Sequence, residues 1–312
     1  MESLVIVGSG CAGATAAIYA ARARLDPLVL VGDEGGGQLA LTTLVENYPG
    51  FADGVMGPEL MEVMRRQAER FGARFLDSRL AQVEFRDGEP QRLRLADGKS
   101  LEARAVIVAT GARPRWLDLP SEVALRTKGV SACATCDGAL YRNVPVAVVG
   151  GGDTALEEAL FLTRFASTVT VIHRRDQFRA SKIMQGRVLA HPKVAVAWDS
   201  VVDEVLDVAK GEVTGVVLRN VRTGARSTLP CAGLFIAIGH TPNTEVFRGQ
   251  LALDEAGYVA LRDGARSFTS VNGVFVAGDC ADHLYRQAVT AAGMGCRAAL
   301  DAARWLAESG GG

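Results

Sequence analysis

Two cysteines separated by two residues, Cys133 and Cys136, are the side chains of this sequence best suited to chemistry. A Cys-x-x-Cys pair can close a small disulfide, and one of its thiols commonly has a lowered pKa. Thiol–disulfide exchange requires one sulfur that attacks and a second that resolves the mixed disulfide. Asp137 follows directly and brings a carboxyl group that can donate or accept a proton. The segment predicts a redox-active dithiol.

Two other roles for this pair remain open from the residues alone: half of a zinc site, or two small residues of the core. A structural zinc site requires a second pair at ligand spacing. The other four cysteines are scattered and contain no second Cys-x-x-Cys: Cys11, Cys231, Cys280 and Cys296. Redox chemistry is the favoured interpretation, and no metal is expected.

A glycine-rich turn near the N-terminus predicts a dinucleotide site. An apolar run at 4–7 indicates a buried strand, and an alanine-rich stretch at 14–24 indicates a helix. Between them lies G-x-G-x-x-G, in which Gly8 allows a tight turn, Gly10 lets backbone approach a pyrophosphate, and Gly13 lets the helix pack on the strand. The pyrophosphate would bind at the helix N-terminus, where the N–H groups and the dipole favour anions.

The next predicted strand, at 27–31, ends without the acidic residue that usually binds a ribose. Asp33 and Glu34 lie just beyond it and are weaker candidates for that role. Loop 35–39 is rich in glycine, so its backbone can approach a ligand closely.

Further patterns indicate the elements that position these loops. Spacing of apolar residues predicts an amphipathic helix at 57–72. Alternation around Asp-Gly turn signals predicts an antiparallel meander at 82–101, and an apolar run predicts a buried strand at 105–110. Prolines at both ends of 114–120 predict a hinge or linker.

The same plan begins again after the cysteine pair. G-x-G-x-x-A at 150–155 lies between a predicted strand at 144–149 and a predicted helix at 156–165. Predicted strands at 169–173 and 234–239 complete the second unit. The chain therefore contains two copies of one nucleotide-binding plan.

The tip of the strand at 169–173 indicates which nucleotide the second copy binds. An NAD-binding domain usually carries Asp or Glu there, whereas this sequence has His173, Arg174 and Arg175, with Arg179 four residues further on. Guanidinium groups bind a 2′-phosphate through charge-assisted hydrogen bonds. A solvated basic loop is the alternative, and NADPH is preferred over NADH.

Near the C-terminus, an apolar run at 274–279 predicts a buried strand that ends in Gly278 and Asp279. Asp279 is placed to bind a ribityl or phosphate-side hydroxyl of a flavin. A helix is predicted from 286 to 305, and its N-terminal N–H groups could face the flavin ring. This segment appears after the second unit, so we expect a discontinuous first domain. Residues 309–312 are expected to fray.

Composition limits the class of protein. A chain of 312 residues usually forms two domains, and 48% hydrophobic with 22% charged residues is typical of globular proteins. A net charge of −1 provides no field for nucleic acid or anionic lipid. No apolar run reaches membrane-spanning length, and no signal segment precedes the first strand. We expect a cytoplasmic protein that binds neither nucleic acid nor membrane.

Together these motifs resemble the bacterial-type, low-molecular-weight thioredoxin reductases over essentially the whole chain. The shared motifs lie at residues 8–10, 36–39, 46–50, 133–137, 150–155, 173–175 with 179, 278–279 and 286–288. The resemblance implies an α/β fold with two Rossmann-like domains, each with a parallel central sheet in three layers. It implies an FAD domain at 1–115 and 244–312, an inserted NADPH domain at 116–243, and a homodimer that reduces a thioredoxin.

The resemblance also implies roles for individual residues. Cys136 would be the sulfur nearest the flavin, Cys133 would attack the protein substrate, and Asp137 would protonate a leaving thiolate. The residues expected to contact FAD are Gly8, Ser9, Gly10, Cys11, Ala12, Gly13, Asp33, Glu34, Gly37, Gln38, Leu39, Asn47, Thr110, Gly111, Gly278, Asp279, Arg286, Gln287 and Ala288. Those expected to contact NADPH are Gly152, Asp153, Thr154, His173, Arg174, Arg175, Arg179, Ile238 and Gly239.

The family alternates between two domain orientations, with hinges expected at 114–120 and 238–243. The sequence departs from the family at Cys11, where proline is common, and at Val31, where some members have an acid. Two rival functions remain: an FAD-dependent dithiol oxidase or a ferredoxin- or flavodoxin-coupled flavin reductase, and a non-catalytic NADPH or redox sensor. The arginine set argues against a ferredoxin-fed enzyme, and Asp137 weakly against a sensor.

Overall fold

The chain leaves its first structural unit and later returns to it. The computed structural model describes residues 1–264 and 266–309. Unit 1 combines Met1–Arg113 with the chain from Thr241 onward, and unit 2 is Pro114–His240. Each unit has its own sheets and cores, so the two are described separately.

Unit 1 begins with a strand, the glycine turn and a helix, followed by a meander. Its elements before the first crossing are β1 (Glu2–Val7), α1 (Cys11–Arg22), β2 (Leu28–Leu30), β3 (Leu44–Val45), β4 (Val55–Met56), α2 (Gly57–Arg70), β5 (Arg74–Leu76), β6 (Leu80–Glu84), β7 (Gln91–Leu95), β8 (Ser100–Val108) and β9 (Ala112–Pro114). A short 3₁₀ turn occupies Gly37–Leu41. The predicted helix at 57–72 is confirmed as α2.

Unit 2 repeats the strand, turn and helix and adds a small second sheet. Its elements are α3 (Pro120–Leu125), β10 (Val130–Ser131), α4 (Ala134–Asp137), β11 (Pro145–Val149), α5 (Asp153–Leu162), β12 (Thr168–Ile172), α6 (Lys182–Leu189), β13 (Val194–Ala197), β14 (Ser200–Val205), β15 (Gly215–Asn220), β16 (Arg226–Pro230) and β17 (Gly233–Ile236). The chain then forms β18 (His240–Pro242), β19 (Val274–Val276) and α7 (Ala288–Ser309).

The main sheet of unit 1 is parallel at its centre and antiparallel at one edge. Strands β5, β2, β1, β8 and β19 are parallel neighbours, and β6 and β7 extend the sheet along the first half of β8. The predicted meander is therefore confirmed as β6–β7–β8. The inner parallel strands β1, β2, β8 and β19 are largely buried runs of apolar residues because helices and loops cover both faces of such a sheet, whereas the edge strand β5 is partly exposed.

Unit 2 contains the predicted parallel sheet, in the order β10–β17–β11–β12–β13. Its two faces pack into separate apolar clusters, one formed with α5 and the other with the antiparallel sheet β14–β15–β16. The sequence reasoning assigned no strands between 200 and 230. Each unit thus contains one Rossmann-like parallel sheet, and the predicted α/β architecture is confirmed.

Several predicted boundaries shift by a few residues. Helix α1 begins at Cys11 rather than at residue 14, so Gly13 belongs to its first turn. Helix α5 begins at Asp153 and ends at Leu162, three residues before the predicted end. Helix α7 begins at Ala288 and not at 286. Ser309 is its last residue, and the rest of the expected frayed end lies outside the described residues.

Candidate active site

The cysteine pair lies on a single helical turn after β10. Cys133 and Cys136 form a disulfide with an S–S distance of 2.10 Å and a Cα–Cα distance of 5.3 Å. The N–H groups of Cys136 and Asp137 donate to the carbonyl of Cys133 at 3.3 and 3.2 Å, and the Cys133 N–H donates to Ser131 Oγ at 3.0 Å. Both sulfurs are used in the disulfide, which argues against zinc ligation. The pair is arranged for reversible thiol–disulfide chemistry.

Access and acidity differ among the residues of this turn. Cys136 is exposed, and Cys133 and Asp137 are half-buried. Burial raises the pKa of the Asp137 carboxyl, while a hydrogen bond with Ser131 opposes the rise. Tyr141 lies in the same environment, and burial together with the Asp137 charge raises its pKa to about 12. Asp137 can therefore hold a proton at a higher pH than an ordinary aspartate does.

The first glycine turn leaves no room for a side chain at Gly8 or Gly13. Gly8 has φ +111°, and a Cβ on Gly13 would lie 1.9 Å from the carbonyl oxygen of Gly8. Helix α1 therefore packs directly on the turn that precedes it. Gly10, the residue before α1, supplies no side-chain cap. The start of α1 is thus arranged as an anion site, as the fingerprint predicts.

Ser9 fixes a second loop beside this turn. Its hydroxyl donates to Val31 O at 3.1 Å and accepts from Gly36 N–H at 3.1 Å. A Cβ on Gly37 would lie 3.4 Å from Gly10 Cα. The two glycine segments therefore approach each other as bare backbone, a surface that a dinucleotide can contact closely.

Asp279 is the clearest indication of a ligand site in unit 1. Its Oδ1 is buried and has no hydrogen-bond partner among the described residues. Burial and the nearby Asp282 raise its pKa to about 6, and Arg286 opposes the rise. A buried carboxylate oxygen without a donor is costly. A ribityl hydroxyl of a flavin would supply that donor.

Other residues predicted to bind the flavin lie in unit 1 with varied partners. Asp33 faces Arg79, with 3.6 Å between carboxylate and guanidinium. Gln38 and Leu39 lie in the 3₁₀ turn. Ala12 packs beside Gly278: a Cβ added to Gly278 would lie 2.8 Å from the Ala12 methyl. The contact of Glu34 with a flavin remains a prediction.

Thr110 and Gly111, two of the residues predicted to contact FAD, form hydrogen bonds with the backbone of unit 1. The Thr110 hydroxyl donates to Asn243 O at 2.7 Å, and the Asn243 N–H donates to Gly111 O at 3.0 Å. This network joins the end of β8 to the chain that returns after β18. Their contact with a flavin stays a prediction.

The start of α7 brings several predicted residues together. Arg286 has φ +47° and, with Gln287, precedes the helix rather than opening it. Asn47 donates to Gln287 Oε1 at 3.4 Å. Cys11 donates to Ala288 O at 3.2 Å, and burial raises the pKa of this thiol to about 11. Cys11 is therefore a protonated structural thiol near neutral pH.

The second glycine turn is equally crowded. Gly150 has φ +157°, and its Cβ would lie 2.5 Å from both Ala237 O and the Ala155 methyl. By contrast, a Cβ on Gly152 would meet open space, next to the start of α5. Asp153 opens α5 and accepts from Ser181 N–H at 2.9 Å, which lowers the pKa of its carboxyl. Thr154 occupies the same first turn.

His173 is placed between the glycine turn and the arginine segment. Its Nδ1 lies 2.9 Å from Gly150 O, and its Nε2 lies 3.0 Å from Gln177 O. The ring is buried, and burial is the main cause that lowers its pKa. Both ring nitrogens thus face backbone carbonyls. These contacts fix the ring against the backbone, and the contact of His173 with NADPH stays a prediction.

The predicted arginines line a cavity of about 320 Å³ formed by residues 174–179 with Asp199, Val221 and Arg222. The Arg179 N–H donates to Gly151 O at 2.8 Å, which ties this segment to the glycine turn. Sequence reasoning missed Arg222, because it is distant in sequence and only its place in a β-turn after β15 brings it here. Ile238 and Gly239 follow β17, and Gly239 O accepts from Arg115 N–H at 2.9 Å.

Comparisons with known proteins agree with this arrangement. The family model for pyridine nucleotide-disulphide oxidoreductases matches residues 2–295. The thioredoxin reductase of Streptomyces coelicolor is 54% identical over 308 residues, which cover 98% of this chain and 94% of that protein. That of Rickettsia felis is 50% identical over 304 residues, 97% of each chain.

Solved structures are similar over the same span. A thioredoxin reductase from Giardia duodenalis matches with a TM-score of 0.93 and 45% identity over 98% of each chain. One from Streptococcus pyogenes matches with a TM-score of 0.93 and 40% identity over 99% of each chain. Among the helices of the described residues, none combines the length and apolar character required to cross a membrane.

Proposed function

Since the chain belongs to the pyridine nucleotide-disulphide oxidoreductases and, within them, to the bacterial-type thioredoxin reductases, we propose that it carries two electrons from NADPH to the disulfide of a thioredoxin. Flavin and NAD(P) use are properties of this family. The observation that carries the proposal is the Cys133–Cys136 disulfide on an exposed turn beside the half-buried Asp137.

FAD is the flavin that unit 1 fits. The uncapped start of α1 and the bare backbone of Gly10 and Gly37 suit a pyrophosphate, and buried Asp279 requires a hydroxyl donor. The domain containing these residues is the proposed FAD domain, at 1–115 and 244–312. Bound FAD would supply the two-electron chemistry between the nicotinamide and the disulfide.

NADPH is the nucleotide that unit 2 fits, in the proposed domain at 116–243. The uncapped start of α5 would hold its pyrophosphate, and the open space at Gly152 allows close approach. Arg174, Arg175 and Arg179 would bind the 2′-phosphate, a group that NADH lacks.

The dithiol would pass its electrons on by exchange. The Cys133 thiolate attacks one sulfur of the thioredoxin disulfide, and the bond between those two thioredoxin sulfurs breaks. Asp137 protonates the departing thiolate. The Cys136 thiolate then attacks Cys133 Sγ, which releases the second thioredoxin sulfur and restores the Cys133–Cys136 disulfide.

Replacement of single sulfurs tests these roles. Cys133→Ser should abolish thioredoxin reduction, while NADPH still bleaches the flavin absorbance under anaerobic conditions. Cys231→Ser removes a buried thiol of the same unit, and we expect near wild-type thioredoxin reduction. Retained thioredoxin reduction by Cys133→Ser would refute the assignment of the attacking sulfur.

The partner, assembly and compartment are parts of the same proposal. The partner is a thioredoxin, the active form is a homodimer, and the compartment is the cytoplasm. Light scattering of the FAD-loaded protein should give twice the 32.9 kDa chain mass, and a monomer mass would refute the homodimer. The oxidase, ferredoxin-coupled and sensor alternatives are not favoured, because the most similar relatives reported above are named thioredoxin reductases.

A further inference from the structure

Two aspartates lie in the arginine-lined cavity of unit 2, where they would oppose an anionic ligand. Asp176 belongs to the arginine segment itself, and Asp199 follows β13. Within the described chain, none of Arg174, Arg175 and Arg179 forms a salt bridge with these or other carboxylates. These three guanidinium groups are therefore not paired with neighbouring carboxylates in the described chain.

Arg222 is the cation that both aspartates do contact. Its guanidinium lies 2.6 Å from Asp176 Oδ2, and its Nε lies 3.0 Å from Asp199 Oδ1. The contact with Asp176 is the main cause that lowers the pKa of that carboxyl. One arginine thus pairs with both acids of the cavity, whose four guanidinium groups outnumber its two carboxylates.

The backbone holds Arg222 in this position. Its N–H donates to Asn220 Oδ1 at 3.0 Å, within the turn between β15 and β16. The preceding Val221 N–H donates to Asp199 O, and the Asp199 N–H donates to Arg175 O at 3.2 Å. The turn is therefore connected through Asp199 to the arginine segment.

On the basis of the proposed NADPH site, we propose that Arg222 is a positioning residue for nucleotide selectivity. It holds the carboxylates of Asp176 and Asp199 and offsets part of their negative charge, so that the three other arginines attract a 2′-phosphate more strongly. Arg222 acts through the aspartates, so its effect concerns phosphate discrimination and not the adenosine or nicotinamide contacts.

Direct binding of two small probes to the FAD-loaded protein tests this inference without turnover. The probes are adenosine 2′,5′-bisphosphate and AMP, which differ by the 2′-phosphate, and calorimetry gives the ratio of their affinities. Arg222→Gln leaves two carboxylates unpaired in the cavity. We expect the preference for the bisphosphate to fall about 3- to 10-fold, with AMP binding unchanged.

A matched control exists on the same hairpin. Arg226 is similarly exposed and, among the residues that the structure describes, pairs only with Asp203, at 2.8 Å, outside the cavity. Arg226→Gln should leave the preference unchanged. Asp176→Asn combined with Arg222→Gln should recover part of the lost preference. Asp176→Asn alone should change it less than about 2-fold, because Arg222 already pairs with that exposed carboxylate.

The outcomes separate this inference from the proposed function. A wild-type protein with no preference for the bisphosphate would refute the NADPH site itself. A wild-type preference that survives Arg222→Gln, or that falls equally in Arg226→Gln, would overturn the role of Arg222 alone. A several-fold rise in preference with Asp176→Asn alone would also overturn it, and this variant keeps Arg222 in place should Arg222→Gln fail to fold.

Discussion

At the scale of single residues, the acidity of Asp137 makes the proposed exchange dependent on pH. Burial raises its pKa, so the carboxyl keeps its proton to a higher pH than a solvated aspartate does. As pH rises through this elevated pKa, the acid form is lost and protonation of the leaving thiolate slows. Thioredoxin reduction should therefore decline on the alkaline side of that pKa.

Asp137→Asn tests this dependence. We expect the rate of thioredoxin reduction to fall about 100-fold, with the alkaline decline lost from its pH profile. Ser131→Ala is the companion variant: the Ser131 hydrogen bond lowers the pKa of Asp137, so its removal should move the decline to higher pH. An Asn variant with a wild-type profile would contradict the assignment of Asp137 as the acid.

At the scale of elements, the two glycine turns predict losses of stability of different size when one methyl group is added. A Cβ on Gly13 would collide with the Gly8 carbonyl, whereas a Cβ on Gly152 meets open space. Gly13→Ala should lower the free energy of unfolding of the FAD-free protein by about 3 kcal/mol, because α1 must move away from β1. Gly152→Ala should lower it by at most about 1 kcal/mol. Equal losses in denaturant unfolding would contradict the packing described here.

Helix α3 depends on a buried carboxylate. Glu122 is 0% exposed and accepts from Leu117 N–H at 2.6 Å and from Arg126 at 2.6 and 2.8 Å. Glu122→Ala leaves these donors without a partner, so we expect a loss of about 3 kcal/mol in the free energy of unfolding.

A second pair with the same spacing in α2 provides the control. Arg65 and Glu69 are 3.0 Å apart but 40% and 43% exposed. Glu69→Ala should cost less than about 0.5 kcal/mol. If both alanine variants lose the same free energy in denaturant unfolding, burial is not what makes the Glu122 network important.

At the scale of the whole molecule, the sequence predicted what depends on local pattern. The strand, turn and helix around Gly8 and around Gly150 follow from apolar runs and glycine spacing, and the structure confirms both. The disulfide also follows from the spacing of Cys133 and Cys136. Such features involve residues close together in the chain, so the residue types and their spacing are sufficient to predict them.

Features that depend on tertiary contact were not predicted. The ion pair between Arg222 and Asp176 joins residues 46 positions apart, and no local pattern relates them. The carbonyl contacts of His173 are also invisible in sequence, because both acceptors belong to backbone. The antiparallel sheet β14–β16 was also missed. Short strands separated by turns are a pattern that a sequence can show, but the prediction did not include them.

The central claim concerns the whole path from nucleotide to protein disulfide, and oxidation of NADPH by the FAD-loaded protein tests it most directly. The rate is followed under anaerobic conditions with and without oxidised thioredoxin, and again with NADH. We expect fast oxidation that requires thioredoxin and falls sharply with NADH, because the proposed NADPH site would bind the 2′-phosphate through its arginines. Equal rates with and without thioredoxin, or oxidation that starts only when oxygen is admitted, would contradict the account, as would equal rates with NADH.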